Sequence, residues 1–166
     1  MSLIILFGPT GAGKTYIGKL LQQKFNYYFY DGDNDLTTEM KQALNSMQTI
    51  TDRMRQKFIT RLIKSTFKLA AKHKNTVIAQ TFIKDKYRQQ LLKKLPHAQF
   101  ILIKTQTNIR YQRRQKRADY PWDKTYVKKM DAIFETPKIP HQIITNNYAG
   151  SDNLKSSLQS LFSALS

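Results

Sequence analysis

The stretch Leu3-Ile4-Ile5-Leu6-Phe7-Gly8-Pro9-Thr10-Gly11-Ala12-Gly13-Lys14-Thr15 decides the architecture of this chain. Five consecutive apolar residues without polar alternation read as a strand buried on both faces. The next eight residues match G-x-x-x-x-G-K-[ST] in full. Lys14 to Phe25 then carries Ile17, Leu20, Leu21 and Phe25 on one helical face. Strand, glycine-rich turn and helix in that order make a phosphate cradle. The glycines let backbone N–H groups turn inward where a Cβ would obstruct them, and the helix points its positive end at the same anion. Lys14 is expected to reach the β- and γ-phosphates of a nucleoside triphosphate, with the Thr15 hydroxyl on Mg²⁺. The expected nucleotide-binding set is Gly8, Thr10, Gly11, Ala12, Gly13, Lys14, Thr15 and Tyr16.

Working outward, short apolar runs alternate with longer segments of 3.6-residue period, the pattern of a parallel sheet wrapped by helices. Strands are expected over residues 3–7, 27–30, 76–79, 100–103 and 142–145. Helices are expected over 14–25, 35–45, 51–73, 85–94, 107–117, 123–134 and 151–165. Thr51 or Asp52 caps the long third helix, in which Phe58, Leu62, Ile63, Phe67 and Ala70 recur at spacings of three and four. The fold class is therefore α/β: a P-loop NTPase with three α/β/α layers, a five-stranded parallel sheet and a short helical lid. Residues 1–166 form one domain, with the lid at about 114–126.

The carboxyl edge of such a sheet is where ligands bind. Asp31-Gly32-Asp33 falls there, after the second strand. One of the two carboxylates suits Mg²⁺, held directly or through water, and the other suits acceptance of a proton from an attacking hydroxyl. The third strand ends in Gln80-Thr81 with no acid. The metal carboxylate that a GTPase places on such a strand thus shifts to Asp31 or Asp33, as in a small-metabolite kinase. Arg110, Arg113, Arg114 and Arg117 precede Tyr120-Pro121-Trp122. Arg113 and Arg117 read as lid arginines that neutralise the moving phosphoryl group, and Arg110 and Arg114 as surface cations. Asn146 is a possible base contact on spacing alone, and His73, His97 and His141 are isolated.

Lys and Arg total 28 against 11 acids, a formal net charge of +17. Residues 53 to 94 hold thirteen basic side chains and one acid, Asp85, mostly at helical spacings beside apolar stripes, so a solvated surface is the plainer reading. The absence of cysteine excludes disulfides and thiol chemistry. No apolar run reaches the ~18 residues that span a membrane, and the opening strand is too short for a signal-peptide core. A cytoplasmic location is expected.

These residues resemble the gluconate kinases, within the shikimate-kinase-like group of P-loop kinases. Beyond the P-loop and Asp31-Gly32-Asp33, the stretch from Ile50 to Ile59 is similar to that family's P-L-x-D-x-D-R-x-x-W-L. Lys84-Asp85-Lys86-Tyr87-Arg88 resembles K-x-x-Y-R, Arg113 to Arg117 matches R-x-x-x-R, and Met130 to Pro137 resembles Q-F-x-x-L-E-x-P. The resemblance implies ATP and Mg²⁺ as cofactors, a homodimer, and Asp33 as base. It places Arg55, Lys84, Tyr87 and Arg88 at the acceptor pocket, Arg55 toward the acidic end of the sugar acid, and Arg113 and Arg117 on ATP. The chain departs from the pattern at Asn34-Asp35-Leu36-Thr37, where the family has His-Pro, at Met54, where it has a second acid, and at Ala118-Asp119-Tyr120, where it has Gly-His-Phe.

The reading that follows is an ATP-dependent kinase acting on a hydroxyl of a small anionic metabolite, with Lys14, Asp33 and Arg117 catalytic. Asp33, Arg55, Lys84 and Arg88 are expected on the acceptor, and Thr15 and Asp31 on the metal. A polynucleotide or nucleotide kinase using the basic surface is the first alternative; nucleic acid as a partner is not favoured. A nucleotide-binding protein without kinase activity is the second.

Overall fold

The structure, a computed structural model, describes residues 2–116, 124–147 and 152–163. Strands β1 (Ser2–Phe7), β2 (Tyr28–Asp31), β3 (Asn75–Ala79), β4 (Gln99–Lys104) and β5 (Gln142–Thr145) form one sheet in the order β2-β3-β1-β4-β5, with every pairing parallel. Helices α1 (Lys14–Phe25), α2 (Thr38–Asn45), α3 (Asp52–Lys72), α4 (Asp85–Lys94), α5 (Thr107–Gln115), α6 (Lys124–Ala132) and α7 (Asp152–Ser163) complete the described chain.

β1 lies at the centre, and its alternation sorts the core into two layers. Leu3, Ile5 and Phe7 pack with Met40, Phe58, Leu62 and Leu91 of α2, α3 and α4. Ile4 and Leu6 pack on the other face with Ile17, Leu21, Leu154 and Leu158 of α1 and α7. Burial on both faces explains the unbroken apolar run. The expected three-layer α/β/α class and five-stranded parallel sheet are present, and no helix among the described residues is long and apolar enough to cross a membrane.

Local chemistry sets the boundaries. The expected helix at 35–45 is divided: a 3-10 turn spans Gly32–Asp35, and α2 begins only at Thr38, behind the Thr37 N-cap. The Asp31 carboxylate accepts from the Asp33 N–H at 3.1 Å, a local bond that competes with α-helix and favours the tight turn. α3 starts after Thr51, whose hydroxyl accepts from the Met54 N–H at 3.2 Å. Phe67, expected on the core face of α3, is 49% exposed. The buried ridge instead runs Phe58, Leu62, Thr66, Ala70 at strict spacing of four, with the Thr66 hydroxyl satisfied by Leu62 O at 2.7 Å. Residues 117–123 of the expected lid, Arg117 and Tyr120-Pro121-Trp122 among them, lie outside the described residues.

Candidate active site

Every strand sends a functional residue to the carboxyl edge of the sheet. After β1, Gly8 approaches β4 so closely that a Cβ would lie 2.6 Å from Ile103 O. Gly13 caps α1 at φ 96°, in the left-handed region that favours glycine. α1 has no side-chain cap and no acid in its first turn, so its opening N–H groups and positive dipole end are left to an anion. Lys14 Nζ folds over the loop, donating to Gly8 O and Pro9 O at 2.9 Å each. Tyr16 stands at the cleft rim, 47% exposed.

The loop is held from behind. Ala12 O accepts from Thr105 Oγ1, after β4, and from Asn146 Nδ2, after β5, each at 2.9 Å. Thr10 O accepts from Arg110 Nη1 at 3.0 Å. Asn146, expected as a possible base contact, is buried and serves as this latch.

Thr15 Oγ1 donates to Asp31 Oδ2 at 3.3 Å, bringing the two expected metal-binding oxygens side by side. Neighbouring oxygens suit a hard cation such as Mg²⁺, which retains waters and phosphate oxygens for its remaining positions. Among the described residues no group of three or more His, Cys, Asp or Glu could hold a metal. Asp33, one turn further, accepts from Gln80 Nε2 at 2.9 Å, and Gln80 Oε1 accepts in turn from the Thr81 N–H at 2.6 Å. Gln80, where β3 carries no acid, thus orients the carboxylate offered as base.

The arginines of α5 divide differently from expectation. Arg110 and Arg114 were expected at the surface, yet they are 5% and 8% exposed. The reason for Arg110 is a carboxylate 21 residues away: its Nη1 and Nη2 donate to Asp131 Oδ1 and Oδ2 at 2.9 and 2.8 Å. This bidentate pair ties α6 to α5 and, through Thr10 O, to the P-loop. Arg113 stands over Gly13 and lines the cleft. Its Nη1 is buried with no hydrogen-bond partner among the described residues, and burial lowers its pKa. A guanidinium left short of acceptors beside a phosphate cradle can meet negative charge there.

A cleft of about 420 Å³ joins these groups to the faces of α2 and α3. Arg55 lines it, half-buried, with its pKa lowered by desolvation; Tyr87, Tyr126 and Asp52 are its electrostatic neighbours. No carboxylate forms an ion pair with it among the described residues. Tyr87 lines the cleft, and its hydroxyl donates to Asp52 O at 3.1 Å.

Arg88 and Lys84, expected on the acceptor, do not line the cleft. The Arg88 guanidinium is 0% exposed. It pairs with Asp85 Oδ1 at 3.0 Å and donates to Phe82 O, Ile83 O and Glu135 O at 2.7–2.9 Å. Three carbonyls and a carboxylate three residues back account for its burial. Lys84 turns to Glu135 at 3.2 Å. Met54 sits in the core. His141 packs edge-on to Phe7, and His73 stacks on Tyr28.

Sequence reasoning missed the Thr10–Arg110–Asp131 chain, the double latch on Ala12 and the structural role of Arg88. One signal was available: Asp85 is the sole acid in a strongly basic stretch and precedes Arg88 by three residues, the spacing of neighbours on one helical face.

Comparison with known proteins places this geometry. The family described as the AAA domain matches residues 4–132. The thermosensitive gluconokinase of Escherichia coli (strain K12) is 26% identical over 140 residues, 84% of this chain and 75% of that protein. Among solved structures, an unliganded sugar kinase from Janibacter sp. HTCC2649 superimposes with a TM-score of 0.81 at 18% identity, covering 97% of this chain and 94% of the other. A gluconokinase from Sinorhizobium meliloti 1021 does so with 0.74 at 17% identity, covering 97% and 95%. The matched span holds the P-loop, both edge carboxylates and Arg113, and the chain belongs to the AAA-domain family, with the fold of the gluconate-kinase-like P-loop kinases.

Proposed function

We propose that this protein is an ATP-dependent kinase that transfers the γ-phosphoryl group to a hydroxyl of a small anionic metabolite. The observation that carries the reading is the convergence, in one cleft, of a complete P-loop, the Thr15–Asp31 pair, Asp33 oriented by Gln80, and Arg113 above Gly13.

The loop amides and Lys14 hold the phosphates. Lys14 already lies over the loop, so it exchanges carbonyl acceptors for phosphate oxygens with little movement. Thr15 and Asp31 are the side chains that would hold Mg²⁺, which when bound neutralises charge on the phosphate oxygens. Asp33 accepts the proton of the acceptor hydroxyl as its oxygen attacks phosphorus and the bond to the ADP oxygen breaks. Arg113 offsets the negative charge on the transferring group, and Arg117 is proposed to join it. Arg55 binds the anionic end of the acceptor. Positioning and electrostatics suffice for such a transfer, with no covalent intermediate on the protein. The working form is taken as a cytoplasmic homodimer, following the family resemblance.

The test is ATP consumption across sugar acids, shikimate, nucleosides and 5′-hydroxyl oligonucleotides, with Lys14→Ala as the control. Turnover stimulated by a small acceptor and lost at least ~10²-fold in Lys14→Ala supports the reading. Turnover unchanged in that variant refutes the site.

A further inference from the structure

The cleft has an acceptor end whose chemistry is unlike its phosphate end. Of the residues that α2, α3 and α4 contribute to its lining, Arg55 alone is charged. Together with the segments that join these helices to the rest of the fold, the remainder of that wall is apolar: Met40, Met47, Ile50, Phe58 and Phe82 among others, with Tyr87. Several polar groups at this end of the cleft are engaged within the protein. The Tyr87 hydroxyl is given to Asp52 O, Gln80 bridges Asp33 and the Thr81 N–H, and Asp33 and Asp31 belong to the transfer chemistry. The Phe82 side chain is fixed in the wall by an unusual backbone. Its φ is 48°, rare for a bulky residue, and its carbonyl is held by Arg88 Nε at 2.8 Å. A polyhydroxylated acceptor needs a hydrogen-bonding partner for each hydroxyl it buries, and this wall supplies few.

We infer that the preferred acceptor is a hydroxy acid with an aromatic or aliphatic apolar body: its carboxylate on Arg55, its body against the Met–Phe–Ile wall and its hydroxyl at Asp33. This deepens the proposed kinase function and rests on it. The wall selects by fit and desolvation, so the discrimination against a polyol of similar size is at least ~10²-fold, the scale on which a buried hydroxyl left without partners is rejected. Met47 and Phe58 belong to this wall, and Arg55 is its one cation.

The experiment measures ADP release with gluconate, shikimate, 3-phenyllactate, 2-hydroxyoctanoate and the uncharged 3-phenylpropane-1,2-diol, for wild type, Arg55→Gln and Met47→Asn. Asparagine tolerates the left-handed backbone of Met47, at φ 52°, so that variant is expected to fold. The expected result is a kcat/KM for 3-phenyllactate or 2-hydroxyoctanoate about 10²-fold above that for gluconate. Arg55→Gln raises KM for the acids at least tenfold more than it does for the diol, and Met47→Asn raises KM for both. A kcat/KM for gluconate or shikimate equal to or above that of the apolar acids overturns the inference and leaves the kinase reading intact. Absence of turnover with every acceptor counts against the kinase reading, and calorimetry on the complex with the ATP analogue AMPPNP then decides the pocket. Binding of 3-phenyllactate with a negative heat-capacity change, weakened in Met47→Asn, supports the inference. Failure to bind overturns it.

Discussion

Replacing Gly13 by alanine tests whether the rear latch fixes the P-loop. Two costs are built into this position. At φ 96° an L-residue is strained by about 1–2 kcal/mol, the scale of the left-handed region. The new Cβ would also overlap Asn146 Nδ2, pushing that amide off Ala12 O, to which it donates at 2.9 Å. Ala12 O keeps its second donor, Thr105 Oγ1, so the lost bond costs about 1–2 kcal/mol rather than the full penalty of an orphaned carbonyl. Gly13→Ala should therefore destabilise the protein by about 2–4 kcal/mol, or roughly 5–15 °C in Tm for a chain of this size. With Asn146→Ala already present the overlap is gone, and the same substitution should cost only the ~1–2 kcal/mol of backbone strain. Urea unfolding of the four proteins without nucleotide gives the coupling from the midpoints at constant m. Equal cost of Gly13→Ala in the two backgrounds, to within about 0.5 kcal/mol, would refute the latch.

Arg88→Met should destabilise by about 3–5 kcal/mol, because it leaves Asp85 buried without its cation, and urea unfolding reads this directly. Burial pushes the Asp85 carboxyl up, but bonds from the Lys138 N–H, Gln89 and Arg88 outweigh it and hold its pKa below the ordinary value. A depressed folded pKa contributes stability above the unfolded value of about 3.9 and loses it as pH falls further, so the urea midpoint should drop below about pH 4. The part due to Asp85 should be absent in Asp85→Asn. Arg113→Lys should lower kcat by about 10²-fold with little change in KM for the acceptor, since the planar fork is needed only as charge develops on the moving group; a change confined to KM would place Arg113 on the ground state instead.

Much of the fold was legible because its signals are local. The run Leu3 to Phe7, the glycine spacing and the 3.6-residue period of α1 and α3 each follow from a few neighbouring residues. Within the site, the P-loop, Asp31, Asp33 and Arg113 were readable for the same reason, and the cleft position of Arg55 through the family resemblance. What escaped depends on partners distant in sequence. Arg110 reads as a surface cation until Asp131, across the lid segment, is brought to it. Asn146 reads as a possible base contact until β5 is laid beside β4 and its amide meets Ala12. Arg88 was misplaced because the carbonyls that bury it belong to Phe82, Ile83 and Glu135, and carbonyls leave no mark in a sequence. The apolar acceptor wall was hidden in a different way: Met40, Met47, Ile50 and Phe58 look like ordinary core, and only the cleft shows which of them face an open space.

The central place of β1 has a consequence for how the chain is made. Its pairing partners are β3, where Ser2 meets Asn75, and β4, where Ile4 meets Gln99. The strand that carries the P-loop is synthesised before either neighbour, and at about 5–20 residues per second it waits roughly 4–15 s for the first of them. During that interval five apolar residues and their unpaired amides have no sheet to join. Parallel pairing of such high sequence separation is slow to form even in the complete chain. The ribosome-bound N-terminal segment is therefore the stage at which this protein is most exposed to aggregation, and the emergence of β3 is the event that ends it.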